Sequence, residues 1–391
     1  MKNTLIQIHT LTGYNSVLLN RDDSGMAKRI EFGPSVRTRT SSQFAKRKLR
    51  LAEGENSVSA LGEMSVRSRL TFRRMIAEPL IEHGIDKDVV VAVTMAVMDA
   101  VYGVSKKAEE KRSKSKDDEM KDPLESLERG ELVILGKSEI DYLKSVIEGI
   151  CKDSADAKDA ASKAEVFVKD KDVKANLREL GQSNKALDIA MFGRMVTGDA
   201  LSSVDAAVHV AHAITVHGQQ SEVDFFTAVD DLKTDHEDSG SAHMGEAEIN
   251  SPLLYGYYVV DFNQLLDNLK GLDNARDVAA RLVANLVKLT ATSVVGAKKG
   301  STAPYSTSDF VMVEVGHGAN RSLAEAFRKP VAPTIEAAVG AIEKYVNAKD
   351  AMYGVVDGQR MTASIVEHSI SNAKSASLPD MAVAVEKALK A

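Results

Sequence analysis

Hydrophobic and polar residues alternate with a period of two at the start of the chain. Ile6 and Ile8 alternate with Gln7 and His9, and this pattern predicts a strand over residues 3–10. Runs rich in Val, Ile, Tyr and Phe predict further strands in the second half of the chain. These predicted strands are Val204–Val216, Leu253–Phe262, Phe310–Val315 and Met352–Val356.

Helical spacing of apolar residues separates and follows these strands. From residue 55 to residue 185 the pattern is mostly helical, with an apolar, buried region at Leu80–Val104 and an exposed one at Lys152–Leu180. Later helices are predicted at Ala275–Val295, Ser322–Arg328 and Pro333–Lys349, and from Ser377 onward. Strands interleaved with helices, with a helical block inserted early, predict an α+β protein.

Charge is concentrated near the amino end, in a chain whose formal net charge is −6. The basic segment, Asn20–Arg50, carries nine Lys and Arg residues against three acids, a local excess of six positive charges. Such an excess in an acidic protein indicates a local surface for anions. Coating of the whole protein by nucleic acid does not fit the overall charge.

The end of the basic segment predicts a capped helix. Thr40 fits an N-cap with Gln43 reaching back to it, so the helix would run from about Ser41 to about Leu51 after a long loop. Lys46 and Arg50 are four residues apart and share one helix face, with Arg47 beside them. Arg37 and Arg39 would point the same way from an extended segment. A solvated basic helix is the plain alternative, but the cap and the paired arginines favour phosphate binding.

A second charged stretch lies between two predicted strands. Residues Gln219–Glu248 hold nine acids and a single lysine, Lys233. An excursion of this length is too long for a simple hairpin loop and indicates a functional element. Its acidity disfavours contact with phosphates, whereas its apolar residues could press against bases, as exposed aromatic side chains do.

Composition narrows the compartment and the chemistry. A single cysteine, Cys151, excludes a disulfide framework and fits a reducing cytosol. No apolar run approaches the roughly 20 residues of a membrane helix, and no signal peptide precedes the first predicted strand. We therefore expect a soluble, cytoplasmic protein that does not contact a membrane.

Neither a metal site nor a catalytic constellation is predicted. His209, His212 and His217 form the closest histidine cluster, but on a strand they alternate in direction and no cysteine or carboxylate joins them. Asp22 and Asp23 are adjacent acids in the basic segment and could act on a phosphate with a metal. Pairing with Arg21 or a neighbouring arginine is the favoured role for these acids.

Several motifs, in this order, resemble one family. LNRDD at Leu19–Asp23 is followed by FG and by R-x-R-x-SSQ-x-x-KR-x-x-R at Arg37–Arg50. Later motifs are GRMVT, AHAITVH, DFFTAVDDL with GSAHMG, VGAKK and DFVMVEV, which begin at Gly193, Ala211, Asp224, Val295 and Asp309. Together they resemble the CasC-type backbone subunit of type I-E Cascade, a CRISPR surveillance complex whose backbone subunits belong to the RAMP superfamily.

The resemblance implies a ferredoxin-like, RRM-related palm, an inserted helical fingers domain and a protruding thumb hairpin. On this chain the palm would comprise residues 1–54, 186–217 and 251–391, the fingers 55–185 and the thumb 218–250. The implied protein is not an enzyme and uses no cofactor. Its copies would polymerise head to tail along the crRNA spacer as a helical filament and present it for pairing with target DNA. The large, small and handle-binding Cascade subunits would be its other partners.

The expected RNA-binding residues fall into groups. The expected cationic contacts are Arg21, Lys28, Arg37, Arg39, Lys46, Arg47, Arg50, Lys298 and Lys299. Ser41 and Gln43 would add neutral hydrogen bonds. The resemblance carries Met195, Phe226, Thr227 and Val229 over as residues that pry the guide RNA apart at a kink. Core packing of Met195, or burial of Phe225 and Phe226 against the palm, stays open, as does a metal-dependent endoribonuclease of the type III backbone kind using Asp22 or Asp23.

Overall fold

The computed structural model describes residues 4–102, 122–169, 186–195, 203–228, 243–293 and 299–391, and residues 173, 175, 176 and 179 within the remaining ranges. The chain divides into two compact units. Unit 1 comprises Met1–Ser57, Val208–Phe262 and Ala280–Ala391. Unit 2 comprises Val58–Ala207 and Asn263–Ala279.

Strands and helices are numbered in chain order. The strands are β1 (Leu5–Gly13), β2 (Arg29–Phe32), β3 (Ser35–Thr40), β4 (Val66–Ser68), β5 (Val133–Leu135), β6 (Val208–Val210), β7 (Ala213–Thr215), β8 (Glu222–Ala228), β9 (His243–Ile249), β10 (Leu253–Asp261), β11 (Phe310–Gly316), β12 (Gly358–Ser364) and β13 (Ala373–Ser375). The helices are α1 (Ser42–Arg50), α2 (Glu78–Glu82), α3 (Lys87–Tyr102), α4 (Lys137–Lys152), α5 (Ala157–Lys169), α6 (Leu187–Phe192), α7 (Phe262–Asn268), α8 (Ala275–Thr292), α9 (Lys299–Thr302), α10 (Ile335–Tyr353) and α11 (Leu378–Lys390). The fold is therefore a mixed α and β fold.

Unit 1 is built on one mixed sheet. Its strands follow the order β13-β12-β11-β1-β10-β7-β3-β2, and β6 also pairs with β10. The predicted first strand, β1, lies inside the sheet and pairs antiparallel with both β10 and β11. All seven residues of β11 are buried, as expected for a strand covered on both faces. Helix α10 packs on the sheet through Ala338, Val339, Ile342 and Val346.

Unit 2 is mainly helical and has its own hydrophobic core. Helix α3 contributes the stripe Val90, Val93, Val97 and Val101, which explains the apolar pattern of the predicted buried region Leu80–Val104. That region is two helices, because Gly84 adopts a positive φ of 86° after α2. Strands β4 and β5 form a separate two-stranded sheet. The predicted insertion, residues 55–185, falls almost entirely within this unit.

Three expectations about the strands are wrong. The predicted long loop before α1 contains the hairpin β2–β3. The predicted strand Val204–Val216 is two short strands, β6 and β7. The predicted strand Met352–Val356 is the end of α10 and the turn that follows it, because Gly354 with φ +81° terminates the helix. Strand β12 follows this turn.

Strand β12 was not predicted from the sequence because it contains a buried arginine. Arg360 is 4% exposed and its guanidinium lies 2.7 Å from Glu314 and 2.6 Å from Asp350. A charged residue at a core position erases the hydrophobic alternation that identifies a strand. Within the described ranges, no helix combines the length and the apolar composition that a membrane crossing requires.

Candidate nucleic-acid interface

The first part of the basic segment is a compact loop between Arg21 and Ala27, which form an isolated bridge. Asp22 organises this loop: its Oδ1 accepts hydrogen bonds from the Ser24 hydroxyl at 2.8 Å and from the backbone N–H groups of Ser24 and Met26 at 3.0 Å each. The Ser24 hydroxyl, the two backbone donors and nearby Lys28 lower the pKa of Asp22. Asp22 therefore pairs with its own loop instead of with a neighbouring arginine, and leaves Arg21 exposed.

The hairpin β2–β3 buries one of the predicted phosphate ligands. Arg37 is fully buried, and its guanidinium donates to the carbonyls of Thr215 at 3.0 Å and Phe327 at 2.6 Å. Burial lowers the pKa of this guanidinium. This burial does not fit the prediction that Arg37 contacts a ligand, because the side chain connects β3 to two other segments of unit 1.

Arg39, two residues along the same strand, remains half-buried. Its Nη1 lies 2.8 Å from Nδ1 of His212, and its Nε donates to the Arg29 carbonyl at 3.3 Å. Partial burial, together with Arg39 and Lys28, lowers the pKa of His212. The neutral imidazole can therefore accept from Arg39 at Nδ1 and keep an N–H on Nε2.

Helix α1 begins one residue later than predicted. Ser41, not Thr40, is the N-cap, and its Oγ accepts a hydrogen bond from the N–H of Phe44 at 3.2 Å. Gln43 therefore occupies the second helical position and does not close a capping box with Thr40. The Ser41 N–H donates to Oδ1 of Asn20 at 3.0 Å, and the Asn20 carbonyl accepts from Lys28. Asn20 thus holds the loop of Arg21 and Lys28 against the start of α1.

Helix α1 separates its cations from its apolar residues. Ala45 and Leu49 are buried, whereas Arg47 is exposed and Lys46 and Arg50 are partly exposed. The helix face predicted to bind phosphates is therefore accessible. The predicted partner Gln43 is also exposed.

The acidic stretch contains an antiparallel hairpin, β8–β9, which forms its own two-stranded sheet. Phe225 and Phe226 remain 58% and 41% exposed, so simple burial does not account for either ring. Phe226 lies over its cross-strand partner Gly245, where an added Cβ would come within 2.5 Å of the ring. Thr227 is exposed on the same strand, and Val229 lies outside the described residues.

The base of this hairpin is joined to the basic segment. Glu248 of β9 is 2% exposed and accepts hydrogen bonds from the Ala27 N–H at 2.6 Å and from the Arg29 guanidinium at 2.7 Å. Burial by itself would raise the pKa of Glu248, but these hydrogen bonds outweigh burial and lower it. Sequence reasoning missed this contact, since nothing near either residue in the chain indicates the other.

The remaining predicted contacts are scattered. Met195, in unit 2, is 91% exposed, which rules out core packing as its role. Lys299 is exposed at the start of α9, and Lys298 lies outside the described residues. His217 is buried, with its two ring nitrogens bonded to the Gly218 carbonyl and the Leu253 N–H. Among the described residues, no three His, Cys, Asp or Glu side chains converge on a possible metal position.

Comparisons with known proteins identify one family and solved chains of similar fold. The sequence profile of the family described as "CT1975-like protein" matches residues 6–391. A solved chain of a "CRISPR RNA-guided surveillance complex, pre-nicking" superposes with a TM-score of 0.77 at 24% identity, covering 98% of this chain and 100% of that one. A chain of a "CRISPR RNA-guided surveillance complex" gives a TM-score of 0.68 at 22% identity, covering 98% and 99%. These similarities show the fold. A search of curated protein sequences found no match.

Proposed function

The chain belongs to the CT1975-like protein family, and from this premise we propose that it is a non-catalytic subunit of a CRISPR Cascade complex that binds the guide RNA. More specifically, it forms the type I-E backbone, with unit 1 as the ferredoxin-like palm, β8–β9 as the thumb and the fingers within unit 2. The two solved chains of similar fold come from RNA-guided surveillance complexes, which supports the assignment to a complex of this kind.

The observation that carries the proposal is the accessible cationic face of α1. Lys46, Arg47 and Arg50 lie on a helix whose opposite face is anchored by Ala45 and Leu49. Asn20 holds Arg21 and Lys28 beside the same helix through hydrogen bonds at both ends of the loop. These five side chains would offer several positive contacts close together to a phosphate backbone.

The available contacts fit a ligand whose sequence varies. Lys and Arg side chains hold a phosphate backbone without reading bases, and exposed aromatic rings such as Phe226 stack on any base. A guide RNA requires this kind of binding because its spacer differs from one guide to the next. Met195, Thr227 and Phe226 would act on the RNA as apolar wedges.

Assembly would follow from the same surfaces. Successive copies would line the spacer head to tail, and a head-to-tail interface that does not close gives a filament. The acidic hairpin β8–β9 and the basic segment would attract each other between copies. The guide would then be presented to target DNA, beside the other Cascade subunits.

Salt-dependent RNA binding tests the proposal. We expect the full chain to bind a labelled single-stranded RNA of mixed sequence, with log affinity falling linearly with log salt. Replacing Lys46 and Arg50 together by alanine should reduce the slope by about 1.4, because each phosphate contact on a single strand contributes about 0.7. Fluorescence anisotropy from about 50 to about 300 mM salt measures both quantities, a range in which such contacts change affinity strongly.

The controls distinguish the scaffold from an RNA-cutting enzyme. Purification after co-expression with a CRISPR array should yield protein with bound guide RNA, and the double variant should lose it. Incubation of the assembled protein with labelled guide RNA, target RNA and Mg²⁺ should leave both RNAs intact. RNA cleavage by the natural chain that is lost in the Asp23→Ala variant would show that the protein is a nuclease and not a non-catalytic scaffold. If the double variant retained the guide RNA, Lys46 and Arg50 of α1 would not be part of the RNA interface.

A further inference from the structure

A cleft of about 570 Å³ lies in unit 1 beside the predicted RNA-binding face of α1. Its walls come from the last turn of α1, the loop 51–56, the end of α8 and the start of α9. This arrangement brings together two residues that the sequence analysis singled out separately, Arg47 and Lys299. The cleft also contains two residues that it did not single out, Lys48 and Tyr305.

Cationic, anionic and hydroxyl-bearing side chains line the cleft. Arg47, Lys48 and Lys299 supply positive charge, and Thr292 and Ser293 supply hydroxyl groups. Glu53 and Glu55, both exposed, lie on the loop that forms one wall. The three cations and two acids give the cleft a net charge of one positive unit.

Lys48 is the unusual member of this set. Its side chain is mostly buried, yet no carboxylate lies within ion-pair distance of it in the part of the chain that the structure describes. Besides the cleft, Lys48 borders a cavity of about 40 Å³. The hydroxyl-bearing residues that line this cavity are Thr10, Thr12, Tyr14, Thr40, Tyr258 and Thr290. Burial alone lowers the pKa of Lys48 to about 8. An ammonium group held in this way destabilises the fold unless an anion joins it.

Tyr305 supplies the other half of a nucleotide site. Its side chain is 67% exposed at the cleft, while its backbone N–H is held by the Ala303 carbonyl at 2.6 Å. Its ring is therefore accessible to a ligand in the cleft. An exposed ring beside cations is the arrangement on which bases of single-stranded nucleic acids stack.

We propose that this cleft binds one nucleotide of the guide RNA, with its phosphate on Lys48, Arg47 and Lys299 and its base against Tyr305. The inference rests on the proposed function, since it places a nucleotide of the same RNA beside the face of α1. Lys48 contacts the phosphate directly, and the RNA supplies the anion that the described residues do not provide. The same phosphate chemistry would also suit a free nucleotide.

Two substitutions on the full chain test the two halves of the site. Lys48→Met should reduce the salt slope of single-stranded RNA binding by about 0.7, the contribution of one phosphate. Tyr305→Leu should weaken binding about 5- to 150-fold with an unchanged slope, since one stacked base contributes about 1–3 kcal/mol. Tyr305→Phe keeps the ring and should bind like the natural protein. Fluorescence anisotropy over a salt series gives all three results.

A stability measurement separates binding from a structural role. If the fold does not use the Lys48 ammonium, Lys48→Met should melt at the same temperature as the natural chain or higher, while binding RNA less well. A lower melting temperature together with unchanged RNA affinity would make Lys48 structural and overturn the inference. Lysine acetylation with peptide mass spectrometry adds a direct readout, in which RNA should protect Lys48 and leave the exposed Lys374 unprotected.

Three further outcomes distinguish this site from its alternatives. Unchanged binding in Lys48→Met and Tyr305→Leu, with the Lys46 and Arg50 double variant still impaired, would overturn this site and leave the proposed function standing. Absence of RNA binding by the natural chain would remove both. AMP or inorganic phosphate binding as tightly as the RNA, with sensitivity to Lys48→Met, would identify a free-nucleotide site and overturn the assignment to the guide.

Discussion

Two parts of the basic segment, the hairpin half and the helix half, each carry several cations and use them differently. The hairpin half, β2 and β3, has Arg29, Arg37 and Arg39, and each of these side chains contacts another part of unit 1. The helix half, α1, has four cations and presents Arg47 to solvent. A count of charges gives both halves the same importance for RNA. The contacts show that each cation of the hairpin half is bonded within unit 1, and that Arg37 is fully buried whereas Arg39 is only half-buried.

The largest effect is expected from removing Arg37. Arg37→Met would leave the buried carbonyls of Thr215 and Phe327 without their donor, so we expect a loss of about 2–4 kcal/mol in the free energy of unfolding. Urea unfolding followed by circular dichroism measures the loss, and hydrogen exchange of β3 and β7 peptides localises it.

Arg39→Met is the matched control, because it removes a half-buried cation two residues along the same strand. We expect it to cost less than about 1 kcal/mol. Arg37→Lys should restore only part of the stability, since a single ammonium does not reproduce the guanidinium fork. Equal effects of Arg37→Met and Arg39→Met would end the distinction between a fold cation and a surface cation in this hairpin.

A smaller effect is expected at Glu248, which joins the hairpin half to β9. Glu248→Gln should cost about 1–2 kcal/mol at pH 7, because the buried carboxylate accepts from Ala27 and from the Arg29 guanidinium. Its pKa is lower in the folded protein than the usual 4.5. The stabilisation is therefore complete above about pH 4.5 and disappears as the pH falls through the folded pKa.

Glu246→Gln provides the comparison, since Glu246 is exposed two residues away on the same strand. The difference in stability between the natural chain and Glu248→Gln should shrink between about pH 5 and about pH 3. Glu246→Gln should change the stability at pH 7 by less than about 0.5 kcal/mol. A Glu248→Gln variant with unaltered stability at pH 7 would mean that the base of the β8–β9 hairpin does not depend on the basic segment.

The sequence predicted the elements whose pattern reflects burial. Strands β1, β10 and β11 and helix α8 follow from apolar periodicity, because their hydrophobic residues are the ones that the fold buries. The hairpin β2–β3 inverts this relation: Val36 is 40% exposed, and the neighbouring Arg37 is fully buried. Tertiary hydrogen bonds decide that inversion, and local sequence carries no record of their acceptors at Thr215 and Phe327.

Parts of the candidate site were predictable for the same reason. On α1 the period of 3.6 residues separates Lys46 and Arg50 from Ala45 and Leu49, so one helix defines both its buried and its accessible face. The contact between Arg29 and Glu248 depends on the folded chain, and so does the position of Arg47 and Lys299 around one cleft. The residue types were visible in the sequence, but their neighbours were not.

The smallest effect is expected at Lys48, the helix-half counterpart of Arg37. Burial lowers its pKa to about 8, against about 10.4 in an unfolded chain. Between these values the unfolded chain binds more protons, so the stability of the natural chain should rise with pH from about 8 to about 10.5. Below pH 8 both states are protonated and the destabilisation by Lys48 is at its full value.

Lys48→Met removes this titration. For a fully buried ammonium, this pKa difference would correspond to about 3 kcal/mol. Because Lys48 keeps some exposure, we expect the variant to be more stable than the natural chain by about 1 kcal/mol at pH 7. The advantage should fall as the pH approaches about 10.5. Other titrating groups near Lys48, namely Arg47, Glu53, Glu55, Lys299, Tyr14, Tyr258 and Tyr305, are common to both proteins. The difference between the two urea midpoints therefore isolates Lys48. A variant that is less stable than the natural chain at pH 7 would place Lys48 with Arg37 among the cations that hold the fold.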